Sequence, residues 1–430
     1  MAAPVKDQSL TDGLLARHPA PETASGWAEA IRKDARARLL ATGAPVRRDE
    51  YWRYTDPASL TSAEATDCPP LESDTSPVFD DTDALRLVFV DGLFAPDLSD
   101  EIALDGVEIQ PLTEALNADI HWAKGTYGAL EAAGQTPVAR PFAALNTAVA
   151  ADGFVIRATG AASRPIHFRY LHSEDRSDVV IRHLVRVEEG ASVTILENGP
   201  AASRFNKVME IDVADKGACH HIRAQGRDHD RLAATHLFAR LGTESHFKSF
   251  TLTVNGRLTR NEAVIEFTGD DAVGHIAGCC IGDGAFHHDD TVFITHDAVN
   301  CESRQVFKKV LKNGATGVFQ GKILVKEGAQ KTDGYQISQA LLLDDDSEFN
   351  AKPELEIYAD DVACSHGSTC GAVDETALFY LRSRGVPLKE AQDMMVLAFV
   401  DEAVQEIEED QIADEIRSRI GQWLERRNAS

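Results

Sequence analysis

The chain has 430 residues, 43% of them hydrophobic, which is enough to bury a large core and excludes disordered and collagen-like classes. Its 43 Lys and Arg against 69 Asp and Glu leave a net charge of −26, which argues against nucleic acid or an anionic membrane surface as a partner. No apolar run is long enough to span a bilayer, and the segment up to Trp27 lacks the apolar stretch of a secretory signal. Seven cysteines make no disulfide framework, so the reducing cytoplasm is the expected compartment.

The first 60 residues read as helical. Thr23 or Ser25 caps a segment in which Trp27, Ile31, Ala35 and Leu39 recur every fourth position, and Gly43 stops it. Residues 50–56 (EYWRYTD) form a compact aromatic cluster, and 57–85 look like an irregular connection rich in Ser, Thr, Asp and Pro. A few strands are expected before residue 110, around Leu87-Val88-Phe89-Val90. Alanine-rich helices follow between about 111 and 151.

From Asp152 to about 363 the texture becomes β-rich, with short apolar runs separated by turns. Gly190, Gly217, Gly242 and Gly269 lie 27, 25 and 27 apart, and Gly242, Gly256, Gly269 and Gly284 lie 14, 13 and 15 apart. A period near 27 with a half-period near 14 fits a stacked β-solenoid of about eight coils, its corner glycines supplying positive φ. An antiparallel sandwich with frequent turns is the competing reading, and the spacing favours the solenoid.

After residue 372 the pattern is helical again. Asp374 caps a helix that stops at Gly385; a second spans about 388–408 and a third about 410–427. The second carries two apolar stripes, Ala391, Met394, Met395, Ala398 and Phe399 on one and Leu397, Val400, Val404 and Ile407 on the other. Two stripes need two burial partners, either the neighbouring elements alone or these together with a second protein.

The histidines and cysteines invite a metal reading that strand geometry weakens. Cys279 and Cys280, like His287 and His288, point to opposite faces of an extended chain, so a structural role is expected for them and for Cys219. Cys364 and His366 are two apart and share a face, and both are good ligands for iron or zinc. Two ligands do not complete a tetrahedral site, and nothing in the spacing of Cys370 requires it as a third, so further ligands would come from elsewhere. No phosphate-binding GxxxxGK[ST] loop and no GxSxG elbow is present.

Several long motifs then occur in order: FAALNTAVAADG at 142–153, FQGKILV at 319–325, AQKTD at 329–333, PELEIYADDV at 353–362, CSHG at 364–367 and LFYLRSRG at 378–385. This succession resembles the SufB/SufD family of the SUF iron–sulfur cluster assembly system. It is more similar to the SufD branch, because residues 334–343 contain no cysteine where the SufB branch carries its cluster-building one. The resemblance implies a mainly β protein with three parts. These are an N-terminal, mainly helical region with a few strands (1–150), a right-handed parallel β-helix core (151–371) and a C-terminal helical region (372–430).

The same resemblance implies a non-enzymatic scaffold subunit in a complex of one SufB, one SufD and two SufC ATPases. A transient cluster would form at the interface with SufB, and no cofactor would be held permanently by this chain alone. His366, and with it Cys364, would be the metal ligands. Met394, Met395, Phe399 and Leu397 on the C-terminal helices would contact SufC. For the isolated chain a homodimer stays open. The alternative is a secreted-type β-helix enzyme acting on a polysaccharide, against which the missing signal and the apolar C-terminal helix argue.

Overall fold

The computed structural model describes residues 6–19, 21, 25–70, 77–226 and 230–429, with side chains to 426. Nine α-helices are described: α1 (Gln8–Arg17), α2 (Gly26–Thr42), α3 (Ala58–Thr61), α4 (Leu112–Asn117), α5 (Ala129–Ala133), α6 (Pro141–Val149), α7 (Glu375–Ser383), α8 (Leu388–Val404) and α9 (Asp410–Ala429). The strands begin with β1 (Leu85–Val90), β2 (Leu93–Phe94), β3 (Val107–Pro111), β4 (Phe154–Ala158), β5 (Ile166–Leu171), β6 (Asp178–Val187) and β7 (Ser192–Gly199). They continue with β8 (Arg204–Val213), β9 (Ala218–Gly226), β10 (Leu232–Leu241), β11 (His246–Val254), β12 (Leu258–Phe267) and β13 (Val273–Asp283). The last are β14 (His287–His296), β15 (Glu302–Lys312), β16 (Thr316–Val325), β17 (Asp333–Leu342), β18 (Glu348–Ile357) and β19 (Ala363–Gly371).

From β4 onward, odd and even strands go to different sheets, in the orders β19-β17-β15-β13-β11-β9-β7-β5-β1-β2 and β18-β16-β14-β12-β10-β8-β6-β4-β3. Strands two apart in sequence pair in parallel, which makes a two-sheeted solenoid of about seven turns rather than the expected eight. Coil length varies from 26 residues (Leu232 opposite Leu258) to 32 (Thr316 opposite Glu348). The half-period near 14 is one strand plus one corner. A strand rises about 3.3 Å per residue, so ten residues cross one sheet before the chain turns into the other.

The corners bear out one expectation in part: Gly190, Gly256 and Gly284 take positive φ as expected, whereas Gly217, Gly242 and Gly269 do not. Positive φ is adopted in register by Lys216, Glu244, Asp271, Asn300 and Lys331, none of them glycine. A cross-coil hydrogen bond offsets the strain at each, as where the Lys216 N–H donates to Thr243 O (2.8 Å) and the Asn300 N–H to Gln330 O (2.8 Å). Gly269 is there for space instead: a Cβ would lie 2.0 Å from the Thr243 backbone nitrogen of the coil beneath.

Alternation along each strand divides its side chains between the interior and an outer face. The interior packs Phe154, Phe168, Ile195, Ile211, Phe247, Ile265, Ile294 and Phe319 against one another. The outer face of the even sheet is covered by the N-terminal helices. Asn146 of the fully buried α6 donates to Ile181 O (2.9 Å) and Asn206 O (3.2 Å), satisfying its amide against that sheet. Helix α2 ends at Gly43, whose N–H donates to Leu39 O, as expected. Ser25 stands at its N-cap, but its hydroxyl donates to Leu116 O, while Thr23 lies outside the described residues.

The outer face of the odd sheet is covered by α8 and α9. There a column of basic side chains on successive coils meets Glu402 of α8 and the acidic run that follows that helix. His220 lies 2.7 Å from Glu409, Lys248 2.9 Å from Glu408, His275 3.0 Å from Glu406, and Arg304 2.7 Å from Glu406; Lys308 pairs with Glu402. These pairs account for two of the histidines that invited a metal reading.

The two ends of the stack differ. At the N-terminal end β2 pairs antiparallel with β1 and β3 with β4, one closing each sheet. At the other end β18 and β19 are edge strands, and most of β19 is exposed. Open edges invite pairing with another chain.

Candidate functional site

The candidate site is the open end. In β19 the register places Cys364 opposite Gly334, His366 opposite Gln336, Ser368 opposite Ser338 and Cys370 opposite Ala340. By strand parity Cys364, His366, Ser368 and Cys370 share one face, continuous with the solenoid interior. The motif lies within a strand, so the extended backbone expected for Cys364 and His366 is what the structure has. At about 3.3 Å per residue, Cys364 and His366 are about 7 Å apart along the chain, within reach of one metal ion between them. Cys370 is about 13 Å from His366 and 20 Å from Cys364, too far to join the same ion.

Local sequence builds this row. The Cys364 thiol lies over Gly334, whose missing side chain leaves it space, since a Cβ there would come 3.1 Å from its sulfur. Burial raises the Cys364 thiol above its ordinary pKa, with the Gly334 N–H opposing, so without a metal it carries its proton at neutral pH. Beneath His366 stands Gln336, fully buried, its amide NH2 donating to Gln305 (3.0 Å) and its own oxygen unpartnered. Sequence reading missed Gln336, because only the register reveals that it underlies His366.

The edge is buttressed from the N-terminal aromatic segment. Tyr51 donates its hydroxyl to Glu354 on β18, Lys352 sits 3.8 Å over the Tyr51 ring, and Arg260 stacks 4.1 Å over Trp52. Apolar groups also gather at this end, where Leu355, Val362 and Cys364 pack beside Ile323, Val325 and Ala359. Tyr358 is 64% exposed there.

The remaining metal candidates disperse as their parity requires. Cys279 packs under the C-terminal helices, and Cys280 packs beside Phe286 and Leu311. His287 shares a hydrogen bond with Thr55 (2.9 Å), and His288 one with Asn261 (3.1 Å). Among the described residues, no three His, Cys, Asp or Glu side chains converge on one point.

On the C-terminal helices the expected stripes are rearranged. Asp374 caps α7, accepting from the Thr376 and Ala377 N–H groups. Met394 is 51% exposed and Met395 is partly buried. Phe399 turns toward the odd sheet, with Lys308 4.8 Å over its ring, so it stands apart from Met394. Leu397 lines a groove of about 360 Å³ between α8 and α9, with Ala398, Val400, Val404 and Ile420. Among the described residues of these helices, the most exposed apolar groups are Phe379 (74%) and Tyr380 (55%) on α7, outside both expected stripes.

A family model described as SUF system FeS cluster assembly, SufBD core domain, matches residues 170–399. The chain belongs to the SufBD family of the SUF iron–sulfur cluster assembly system. It is 29% identical over 408 residues to the iron-sulfur cluster assembly protein SufD of Escherichia coli, covering 90% of this chain and 91% of that one. It is 30% identical over 404 residues to an iron-sulfur cluster assembly SufBD family protein of Synechocystis, covering 87% and 86%. A chloroplastic Arabidopsis thaliana relative, protein ABCI7, is 26% identical over 444 residues. Within the SufBD family the chain is SufD-like and acts in iron–sulfur cluster assembly; the polysaccharide-enzyme alternative falls away. Among the described residues no helix is long and apolar enough to cross a membrane.

Proposed function

We propose that this chain is a non-catalytic, cytoplasmic scaffold subunit that pairs with a homologous SufB subunit and docks SufC ATPases. The observation that carries the reading is the uncapped end of the solenoid. It is an open parallel edge whose outermost strand presents a thiol and an imidazole too few to hold iron alone. A second solenoid adding its own edge would extend the sheets by main-chain hydrogen bonds and bring the missing ligands. His366 would offer a neutral imidazole and Cys364 a thiol that loses its proton on binding iron.

A cluster built as cargo has to leave. Ligands divided between two subunits weaken together when the subunits shift. The exposed Phe379, Tyr380 and Met394, with the groove beside Leu397, are the apolar surface on which an ATPase subunit would pull. Anaerobic co-expression with the partner subunits, followed by co-purification and iron and sulfide analysis, tests the reading. A stoichiometric complex carrying a cluster is expected. A chain that purifies alone while its partners assemble clusters without it would overturn the proposal.

A further inference from the structure

One column of the odd sheet turns polar as it nears the open end. The register aligns His221, Ser249, Ile276, Gln305, Gln336 and His366 on successive strands from β9 to β19. Each of these side chains is therefore one coil, about 4.8 Å, from the next and on the same face. At that spacing neighbours in the column bond directly. The Gln336 amide NH2 donates to Gln305 Oε1 (3.0 Å), and His221 meets Ser249 Oγ through its Nδ1 (2.9 Å). The step from β17 to β19 is bridged in the same way two residues beyond His366, where Ser338 and Ser368 share a hydrogen bond (2.7 Å).

The ladder is unfinished at Gln336. Gln305 and Gln336 are both fully buried, and the Gln336 NH2 is committed to the coil beneath, so its Oε1 is left without a partner. A buried carbonyl oxygen without a donor is costly and uncommon. Gly321, on β16 of the other sheet, makes room for this amide, since a Cβ there would come 2.4 Å from Gln336 Nε2. The next residue of the column is His366, whose ring carries the N–H that such an oxygen can accept.

We propose that Gln336 is a positioning residue for His366: its side-chain oxygen accepts the Nδ1–H of the imidazole, which fixes the ring in one tautomer and leaves the Nε2 lone pair for iron. This inference rests on the reading of His366 as a ligand of the cluster carried as cargo. A neutral imidazole in water prefers the Nε2–H form, which puts a proton on the nitrogen that iron would take. An acceptor on Nδ1 reverses that preference, orients the ring and makes it a stronger donor to metal. The constraint comes from this chain alone, so the ligand is set before a partner subunit arrives.

The test reads the tautomer on the full chain without a cluster. With isotope-labelled histidine, and under conditions where the ring is neutral, long-range proton–nitrogen correlation spectra distinguish the two forms, and the His366 signals are those lost in His366→Ala. The wild type should show the Nδ1–H form. Gln336→Met, similar in volume but without the acceptor, should return the ring mainly to Nε2–H with the unfolding midpoint little changed; if that variant fails to fold, the wild-type spectrum decides. In the anaerobically purified complex Gln336→Met should also carry about tenfold less iron and sulfide than wild type. The cluster content of His366→Ala decides the ligand reading by itself, whereas the tautomer, read without a cluster, decides the role of Gln336. An Nε2–H ring in the wild type, a tautomer unchanged in Gln336→Met, or full cluster content in that variant beside a loss in His366→Ala would overturn the proposal.

Discussion

If the open edge is where a second solenoid joins, blocking its outward main-chain groups should destroy the complex and spare the isolated chain. The Ala363 N–H donates to Thr332 O, just before β17. In a parallel ladder the direction alternates, so Ser365, Gly367 and Thr369 also point inward along the stack, and Cys364, His366, Ser368 and Cys370 point outward. Ser368→Pro removes an N–H that β17 does not use, and proline is tolerated at such an edge position. The isolated chain should lose less than about 1 kcal/mol, since Ser368 gives up only its hydroxyl contact with Ser338 (2.7 Å).

Against a partner strand the same change forfeits one main-chain bond, about 1 kcal/mol, and strands the partner's carbonyl, about 1–3 kcal/mol more. The sum, roughly 2–4 kcal/mol, is a loss of affinity of about 30-fold to nearly a thousandfold. Urea unfolding of the isolated variant and titration against the partner subunit measure the two quantities. Unchanged affinity with a folded variant would refute edge pairing, and a loss of fold would refute the assignment of which groups face outward.

Three further outcomes are expected. His366→Ala should lower the cluster content of the anaerobically purified complex about tenfold or more while leaving the complex intact, whereas Cys219→Ala and His287→Ala should not; iron and sulfide assays decide. Phe379→Asp and Met394→Asp each place an unpaired charge on the apolar face of α7 and α8, and each should weaken ATPase binding in a pull-down by about 30-fold or more, with melting unchanged. Glu262 is raised by burial but brought down from 4.5 to about 2, chiefly by Arg260, then by His236 and Arg140. Its folded pKa is depressed, so its contribution of about 3 kcal/mol is complete above the unfolded value and is lost as pH falls from about 4.5 toward 2. Glu262→Gln should therefore cost about 3–5 kcal/mol near neutral pH by stranding Arg140, with the gap to wild type narrowing below about pH 4 in urea titrations.

Much of this protein is local enough to read from the chain. A repeat near 27 with a half-repeat near 14 follows from strand length plus corner, and it appears in the glycine spacing because corners are short-range structures. Parity alone separated Cys279 from Cys280 and His287 from His288, and placed Cys364 and His366 on one face. The Asp374 cap and the three C-terminal helices are equally local. What the chain could not display is anything fixed by stacking. Lys216 and Asn300 take positive φ because bonds from the next coil hold them there, and Gly269 is small because a backbone lies against it. Phe399 faces the sheet and Met394 faces out because α8 sits over Lys308, a placement set by the ion pairs of Glu402, Glu406 and Glu408 with residues one to two hundred positions earlier in the chain. Gln336 lies beneath His366 only because coils some 30 residues apart are brought into register by hydrogen bonds that no single segment contains.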